Sequence, residues 1–194
     1  MIALNGYDIV LASGSPRRKA FLEELDIPFT VKTIPVDETF PPGLKEKEIA
    51  IHIVTNKNHP FLKIVQPKQI IITADTIVWC ENEYLGKPRD DAQARAMLQK
   101  LSGKPHQVVT AIGFLTHTQL EIIAETTTVH FKKLTFDEID YYVANFSPLD
   151  KAGAYGIQDW IGTVGITKIE GSYTNVVGMP LAQVEEKIRL LVKQ

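Results

Sequence analysis

Cysteine is almost absent. Cys80 is the only one in 194 residues, which excludes an internal disulfide and any zinc site built on paired cysteines. Cys80 ends an apolar run, so it reads as a buried structural thiol rather than a nucleophile. No apolar stretch approaches the ~20 residues that a membrane-spanning helix requires. The segment Met1 to Asp8 lacks the basic start and apolar centre of a secretion signal, so the cytoplasm is the expected compartment. A basic excess is missing as well. Lys and Arg total 21 against 23 Asp and Glu, a net charge of −2, so no global field draws the chain to nucleic acid or to an anionic membrane. Any polyanion must be held by a local cluster of cations. The five histidines, His52, His59, His106, His117 and His130, show no metal-ligand spacing. There is no Gly-x-Ser-x-Gly elbow and no phosphate loop with Gly-Lys-Ser/Thr, which removes support from serine-hydrolase and P-loop readings.

What is present suits a soluble globular protein. The hydrophobic share is 44% and the charged share 23%, both ordinary values. The length accommodates one domain, residues 1–194, with a real core and room for two lobes. Ile9 to Ala12 is a short buried strand that runs into Ser13-Gly14-Ser15-Pro16. Ser15 is a good N-cap, and Pro16 suits the first helical position. That helix carries Phe21, Leu22 and Leu25 and stops before Pro28. Phe29 to Val36 reads as a second strand. A second helix from Leu44 puts Ile49, Ile53 and Lys57 on one face until Pro60 ends or kinks it. Gln69 to Cys80 is a β-branched strand followed by a turn at Glu81-Asn82-Glu83. Asp90 caps a helix to Leu101 that Gly103 stops. Gln107 to Thr116 and Glu121 to Phe131 alternate as a hairpin. Thr135 and Glu138 form a capping box for a helix with Ile139, Tyr142, Val143 and Phe146 inward. Ala152 to Gly178 is glycine-rich and strand-like, and a last helix bears Val184, Ile188 and Leu191. Strands and helices mixed in this way predict an α/β fold around a mixed sheet with flanking helices.

Four segments carry chemistry. In Ser13 to Arg18 a strand runs through small residues into a helix whose free N–H groups and positive dipole end face outward. Arg17 and Arg18 stand in the first helical turn, where cations are disfavoured, and an anion there compensates them; the alternative is a pair of solvated arginines. Asp75, within Thr73-Ala74-Asp75-Thr76, is a carboxylate on a buried strand, expensive unless it is paired, binds metal or serves catalysis. Lys87 in Gly86-Lys87-Pro88-Arg89-Asp90 reaches a phosphate or is merely solvated. Lys57, on an inward face, either reaches a ligand or snorkels. In Lys151 to Gln158, two glycines and two alanines allow close backbone approach to another strand or to a flat ligand. Gln158 has donor and acceptor atoms that suit a base edge.

Taken in order, Leu11-Ala12-Ser13-Gly14-Ser15-Pro16-Arg17-Arg18, Val36-Asp37-Glu38, Ala74-Asp75-Thr76, Gly86-Lys87-Pro88-Arg89-Asp90, Leu101-Ser102-Gly103, Thr110-Ala111, Asp150 to Gln158 and Gly171-Ser172-Tyr173 through Val177-Gly178-Met179-Pro180-Leu181 resemble the Maf family of nucleotide pyrophosphatases. Each piece alone is weak, and the ordered set is specific. The resemblance implies a deep cleft, a fold related to inosine triphosphate pyrophosphatases, a homodimer, and a divalent cation, magnesium or manganese. It implies hydrolysis between the α- and β-phosphates of a nucleoside triphosphate, with Asp75 as general base. Ser13, Arg17, Arg18, Lys57 and Lys87 match positions that contact phosphates. Glu38 matches an acidic residue that, with Asp75, holds metal. Arg17, Thr76 and Gln158 match positions tied to choice of base. Ala-Asp-Thr with Tyr-Gly-Ile-Gln resembles the dTTP and UTP branch rather than the sister branch acting on 7-methylguanosine triphosphate. Around Lys57 the chain departs from the family's Leu-Ala-x-x-Lys-Ala, reading Ile53-Val54-Thr55-Asn56-Lys57-Asn58. The family's link to arrest of cell division keeps a nucleotide-binding regulator as the competing expectation.

Overall fold

The β-branched run from Gln69 to Cys80 forms a single strand, nearly every residue of which is buried, and the other strands assemble around it. The computed structural model describes residues 2–193, so Met1 and Gln194, the ends of the expected domain, lie outside the described residues. Strands are β1 (Asp8–Leu11), β2 (Phe29–Val31), β3 (Gln69–Cys80), β4 (Glu83–Leu85), β5 (Pro105–Leu115), β6 (Leu120–Phe131) and β7 (Ile166–Glu170). Helices are α1 (Pro16–Glu24), α2 (Lys47–Asn58), α3 (Asp91–Leu101), α4 (Phe136–Phe146), α5 (Trp160–Gly165), α6 (Tyr173–Val177) and α7 (Leu181–Leu191). The sheet has seven strands in the order β2-β1-β3-β5-β6-β7, with β4 paired to β3. β1 runs parallel to both β2 and β3, while β3–β4 and β6–β7 are antiparallel. The fold is mixed α/β, as the alternation of strand and helix patterns predicts. No helix among the described residues is long and apolar enough to cross a membrane.

The chain divides into two compact units. The first comprises Met1–Asp75, Thr110–Glu125 and Gly178–Gln194. It holds β1, β2, α1, α2 and α7 with parts of the long strands, and one apolar cluster in it joins Val10, Phe61, Val65, Ile71 and Leu115. The second comprises Thr76–Val109 and Thr126–Val177. Its core gathers the inner faces of α3 and α4, including Ala94, Leu98, Ile139 and Tyr142, with Cys80, Val108 and Phe131 from the strands. Cys80 is a free, buried thiol there, and burial pushes its pKa up, as expected of a structural cysteine.

Local signals translate directly into caps. Asp90 accepts from the Gln93 N–H at 2.8 Å to start α3, and Gly103 takes the left-handed conformation after it, at φ 73°. Thr135 and Glu138 make the reciprocal capping box of α4. Glu81 and Asn82 both sit at positive φ, closing the tight β3–β4 hairpin.

Two expectations need correction. The second strand ends at Val31, not Val36. Its partner β1 ends at Leu11, which pairs with Val31, and the chain then turns away into α1; the Lys32 N–H still reaches Leu11 O at 3.1 Å, and the pairing with β1 goes no further among the described residues. The segment from Ala152 to Gly178 is not mainly strand. Gly153 and Ala154 stand at φ 68° and 61° in a 3₁₀ turn, α5 and α6 follow, and only Ile166–Glu170 pairs with β6. Small residues there permit left-handed turns rather than close strand crossing.

Candidate functional site

The loop between β1 and α1 is stitched by serines. Ser15 caps α1, its hydroxyl facing the Arg18 N–H at 3.5 Å, and Ser13 Oγ accepts from the Ser15 N–H at 3.3 Å. No acidic residue stands in the first turn of α1, leaving its positive end to Arg17 and Arg18. Arg18 resolves the repulsion by turning back on the strands. Its Nε donates to Gly178 O at 3.0 Å, and Nη1 donates to Ala74 O at 3.0 Å and Ser13 Oγ at 3.2 Å. Burial pushes the Arg18 pKa down; the charge of Asp75 pulls it up, Arg17 pushes it down and Glu38 pulls it up. Arg18 therefore does more than wait for an anion, since it ties the start of α1 to β3. Arg17 is half-buried beside it.

On β3, side-chain alternation puts Thr73 and Asp75 on one face, and α2 supplies partners to both. Ile49 and Ile53 are buried, and the face they share delivers Lys57 inward, as the spacing predicts. Lys57 Nζ stands 2.7 Å from Asp75 Oδ1, 2.8 Å from Glu38 Oε1 and 3.3 Å from Ala74 O. The lysine and aspartate side chains are only 17% and 13% exposed, so this is an ion pair largely removed from water. Ala74 O thus accepts from both Arg18 and Lys57. Glu38 arrives on the loop after β2. Its neighbour Asp37 spends its carboxylate on Thr39, at 2.9 Å to the N–H and 2.8 Å to the hydroxyl, bonds that hold the Asp37 pKa down.

The register of α2 against β3 is set by a residue that sequence reasoning passed over. Asn58 is fully buried, and its Nδ2 donates to Thr73 Oγ1 at 2.6 Å and to Val54 O at 2.8 Å. Gly113 on β5 makes room for it, because a Cβ there would lie 2.4 Å from Asn58 Nδ2 and 2.6 Å from Thr73 Oγ1. The signal was available: a polar Asn directly after an inward lysine, where the resembling family has Ala, asks for a buried partner.

The structure thus brings Ser13, Arg18, Glu38, Lys57 and Asp75 into one connected cluster. Thr76, half-buried, is the next residue of β3. In the second unit Lys87 is exposed on the loop between β4 and α3, and Gln158 is exposed on a turn before α5. The segments that carry these two are tied together by the Gly153 N–H donating to Gly86 O at 3.0 Å. Among the described residues no group of three or more His, Cys, Asp or Glu side chains converges as a ready metal cage.

A cationic helix start and a serine-lined loop stand beside two carboxylates, Asp75 on β3 and Glu38 on the loop after β2, that meet at one largely buried lysine. A family model described as Maf-like protein matches residues 8–191, and the chain belongs to that family. It is 47% identical over 186 residues to the dTTP/UTP pyrophosphatase of Christiangramia forsetii, an alignment covering 96% of this chain and 95% of that protein. It is 48% identical over 176 residues to the dTTP/UTP pyrophosphatase of Flavobacterium psychrophilum, covering 91% and 90%. Among solved structures it is similar to a HAM1 protein from Coxiella burnetii, with a TM-score of 0.50 and 18% identity over 97% of this chain and 100% of that one. At that identity the likeness concerns the fold.

Proposed function

We propose that this chain is a cytoplasmic nucleoside triphosphate pyrophosphatase that hydrolyses dTTP and UTP, or modified pyrimidine nucleotides, to the monophosphate and pyrophosphate. The observation that carries the reading is the joint convergence of Arg18 and Lys57 on Ala74 and Asp75. Cations that neutralise a triphosphate and a carboxylate able to manage a water proton stand within one network. The names of the relatives supply the substrate class.

Phosphoryl transfer chiefly needs positioning and neutralisation of charge. Arg17, Arg18, Lys57 and Lys87, with the N–H groups at the start of α1 and the Ser13 hydroxyl, hold phosphate oxygens and offset charge growing on the leaving pyrophosphate. Asp75 orients a water and takes its proton as the water oxygen bonds to the α-phosphorus. The bond from that phosphorus to the bridging oxygen breaks, and its electron pair leaves with pyrophosphate. Thr76 and Gln158 contact the base.

A divalent cation, magnesium or manganese, fits the donor set. Glu38 and Asp75 already converge on a single positive charge, the Lys57 ammonium, and magnesium is commonly held by one or two carboxylates together with substrate phosphates. Bound there, it supplies further neutralisation of the phosphates and acidifies water.

Purified protein with magnesium and a panel of UTP, dTTP, CTP, ATP, GTP and 7-methylguanosine triphosphate tests the reading by the products released. Pyrophosphate and monophosphate from UTP and dTTP are expected, and Asp75→Asn lowers that turnover by about 10³-fold while the fold survives. Orthophosphate as the product, tight binding without turnover, or substantial activity in Asp75→Asn overturns it.

A further inference from the structure

Tyr142 is completely buried in α4, yet its hydroxyl serves a surface turn. It donates to Asp159 Oδ2 at 2.6 Å and accepts from the Gly156 N–H at 3.0 Å. Between those two contacts lie Ile157 and Gln158. The same four residues are closed by a backbone hydrogen bond from Asp159 N to Gly156 O at 3.1 Å. The phenol therefore clips both ends of the turn whose third residue is Gln158.

The backbone around this turn is closely packed at both ends. A Cβ on Gly156 would lie 2.5 Å from Asp159 Oδ2, and one on Gly162 would lie 1.9 Å from Ile157 O. Ile157 points into the interior while Gln158 is exposed. Lys151 Nζ reinforces the aspartate from 3.6 Å. Asp159 also occupies the N-cap of α5 but makes no side-chain cap bond there. An N-cap aspartate ordinarily caps its own helix; here the carboxylate is given to Tyr142 instead.

We propose that Tyr142, with Asp159, is a positioning residue for base selection, fixing the reach of the Gln158 amide toward the substrate ring. This rests on the reading that Gln158 meets the base. A turn clipped at both ends sets one distance from the Gln158 backbone to the ring edge. Pyrimidines and purines present their edges at different depths, so a fixed turn admits one ring size and a loosened turn admits both. Discrimination is strongest where site groups are held to a single geometry.

Tyr142→Phe is the direct test, because it keeps the ring that stacks on Phe146 at 5.4 Å and 18° and deletes only the hydroxyl. The readout is the ratio of kcat/KM for UTP to that for ATP. The ratio falls about tenfold, the scale of one lost hydrogen bond, and Gln158→Ala lowers it comparably. The double variant falls no further than Gln158→Ala alone, the mark of two residues acting as a unit. Should near-ultraviolet circular dichroism show Tyr142→Phe unfolded, Asp159→Ala removes the other half of the clip and is expected to lower the ratio in the same way. A wild-type ratio in a folded clip variant, or additive losses in the double variant, overturns the proposal. A wild-type ratio in Gln158→Ala instead sinks the base-contact reading itself and the proposal with it.

Discussion

Lys57 Nζ lies 2.7 Å from Asp75 Oδ1, and the same ammonium is 2.8 Å from Glu38 Oε1. One lysine thus holds together two carboxylates that would otherwise repel each other, the buried Asp75 and the half-exposed Glu38. The arrangement gives substitution of that lysine two effects of opposite direction. Lys57→Met removes a phosphate-neutralising charge, so turnover of UTP falls about 10²-fold, as when one preorganised donor is lost. It also removes the ammonium that Glu38 and Asp75 share, so manganese binds the nucleotide-free variant more tightly than the wild type. Pyrophosphate release and calorimetric titration with manganese measure the two. Wild-type turnover would separate Lys57 from the chemistry, and weaker manganese binding would deny the carboxylates a joint role as ligands.

Gly113 is expected to tolerate no side chain. The Cβ of Gly113→Ala would meet Asn58 Nδ2, Thr73 Oγ1 and Val54 Cγ1 at 2.4, 2.6 and 2.9 Å. Asn58, Thr73 and Val54 are all fully buried, so none swings out of the way. Overpacking of this kind costs roughly 1–3 kcal/mol. The strain lands on the contact that registers α2 on β3, so activity falls along with stability. Urea unfolding and pyrophosphate release should decline together, and a variant as stable as wild type would show that the Asn58 amide has slack.

Most of the elements were legible because their signals are local. Asp90 and Thr135 announce their helices by spacing alone, and the Ile49, Ile53 and Lys57 face follows from helical period. The inward lysine and the buried aspartate were therefore visible as anomalies, although not as partners of each other. What sequence could not display was long-range fit. Gly113 in a strand pattern reads as a weakness until Asn58 is seen lying against it. The anchoring role of Arg18 shows only once Gly178 is seen, 160 residues later, accepting from its Nε. The run from Ala152 to Gly178 misled because its β-branched residues, such as Thr163 and Val164, sit in a short helix whose packing overrides their propensity.

His106 ties stability to pH. It is buried in the second unit with Nε2 2.8 Å from the Tyr155 hydroxyl and its ring edge-on to Phe131 at 5.2 Å. Burial keeps the Tyr155 phenol protonated, so it donates and the imidazole accepts in its neutral form. Charging the ring would place a cation among aromatic rings, and burial, aided by the nearby His130, pulls the pKa from 6.5 down to about 4. Between those two values the unfolded chain binds a proton that the folded one refuses, so stability is full above pH 6.5 and drains as pH falls toward 4. The loss attributable to this residue reaches about 2 kcal/mol by pH 5 and about 3 kcal/mol near pH 4. The carboxylates whose pKa values are lowered by ion pairs, Glu81, Glu138 and Glu170, act at and below their ordinary value of 4.5, while burial raises that of Glu125, so the histidine is read from the difference between wild type and variant. His106→Gln, which retains polar atoms to meet Tyr155, is expected to be less stable at pH 7 yet to decline less than the wild type as pH falls. Urea midpoints for both proteins at pH 7, 6 and 5 measure the difference, and parallel declines would mean that His106 is charged in the folded protein.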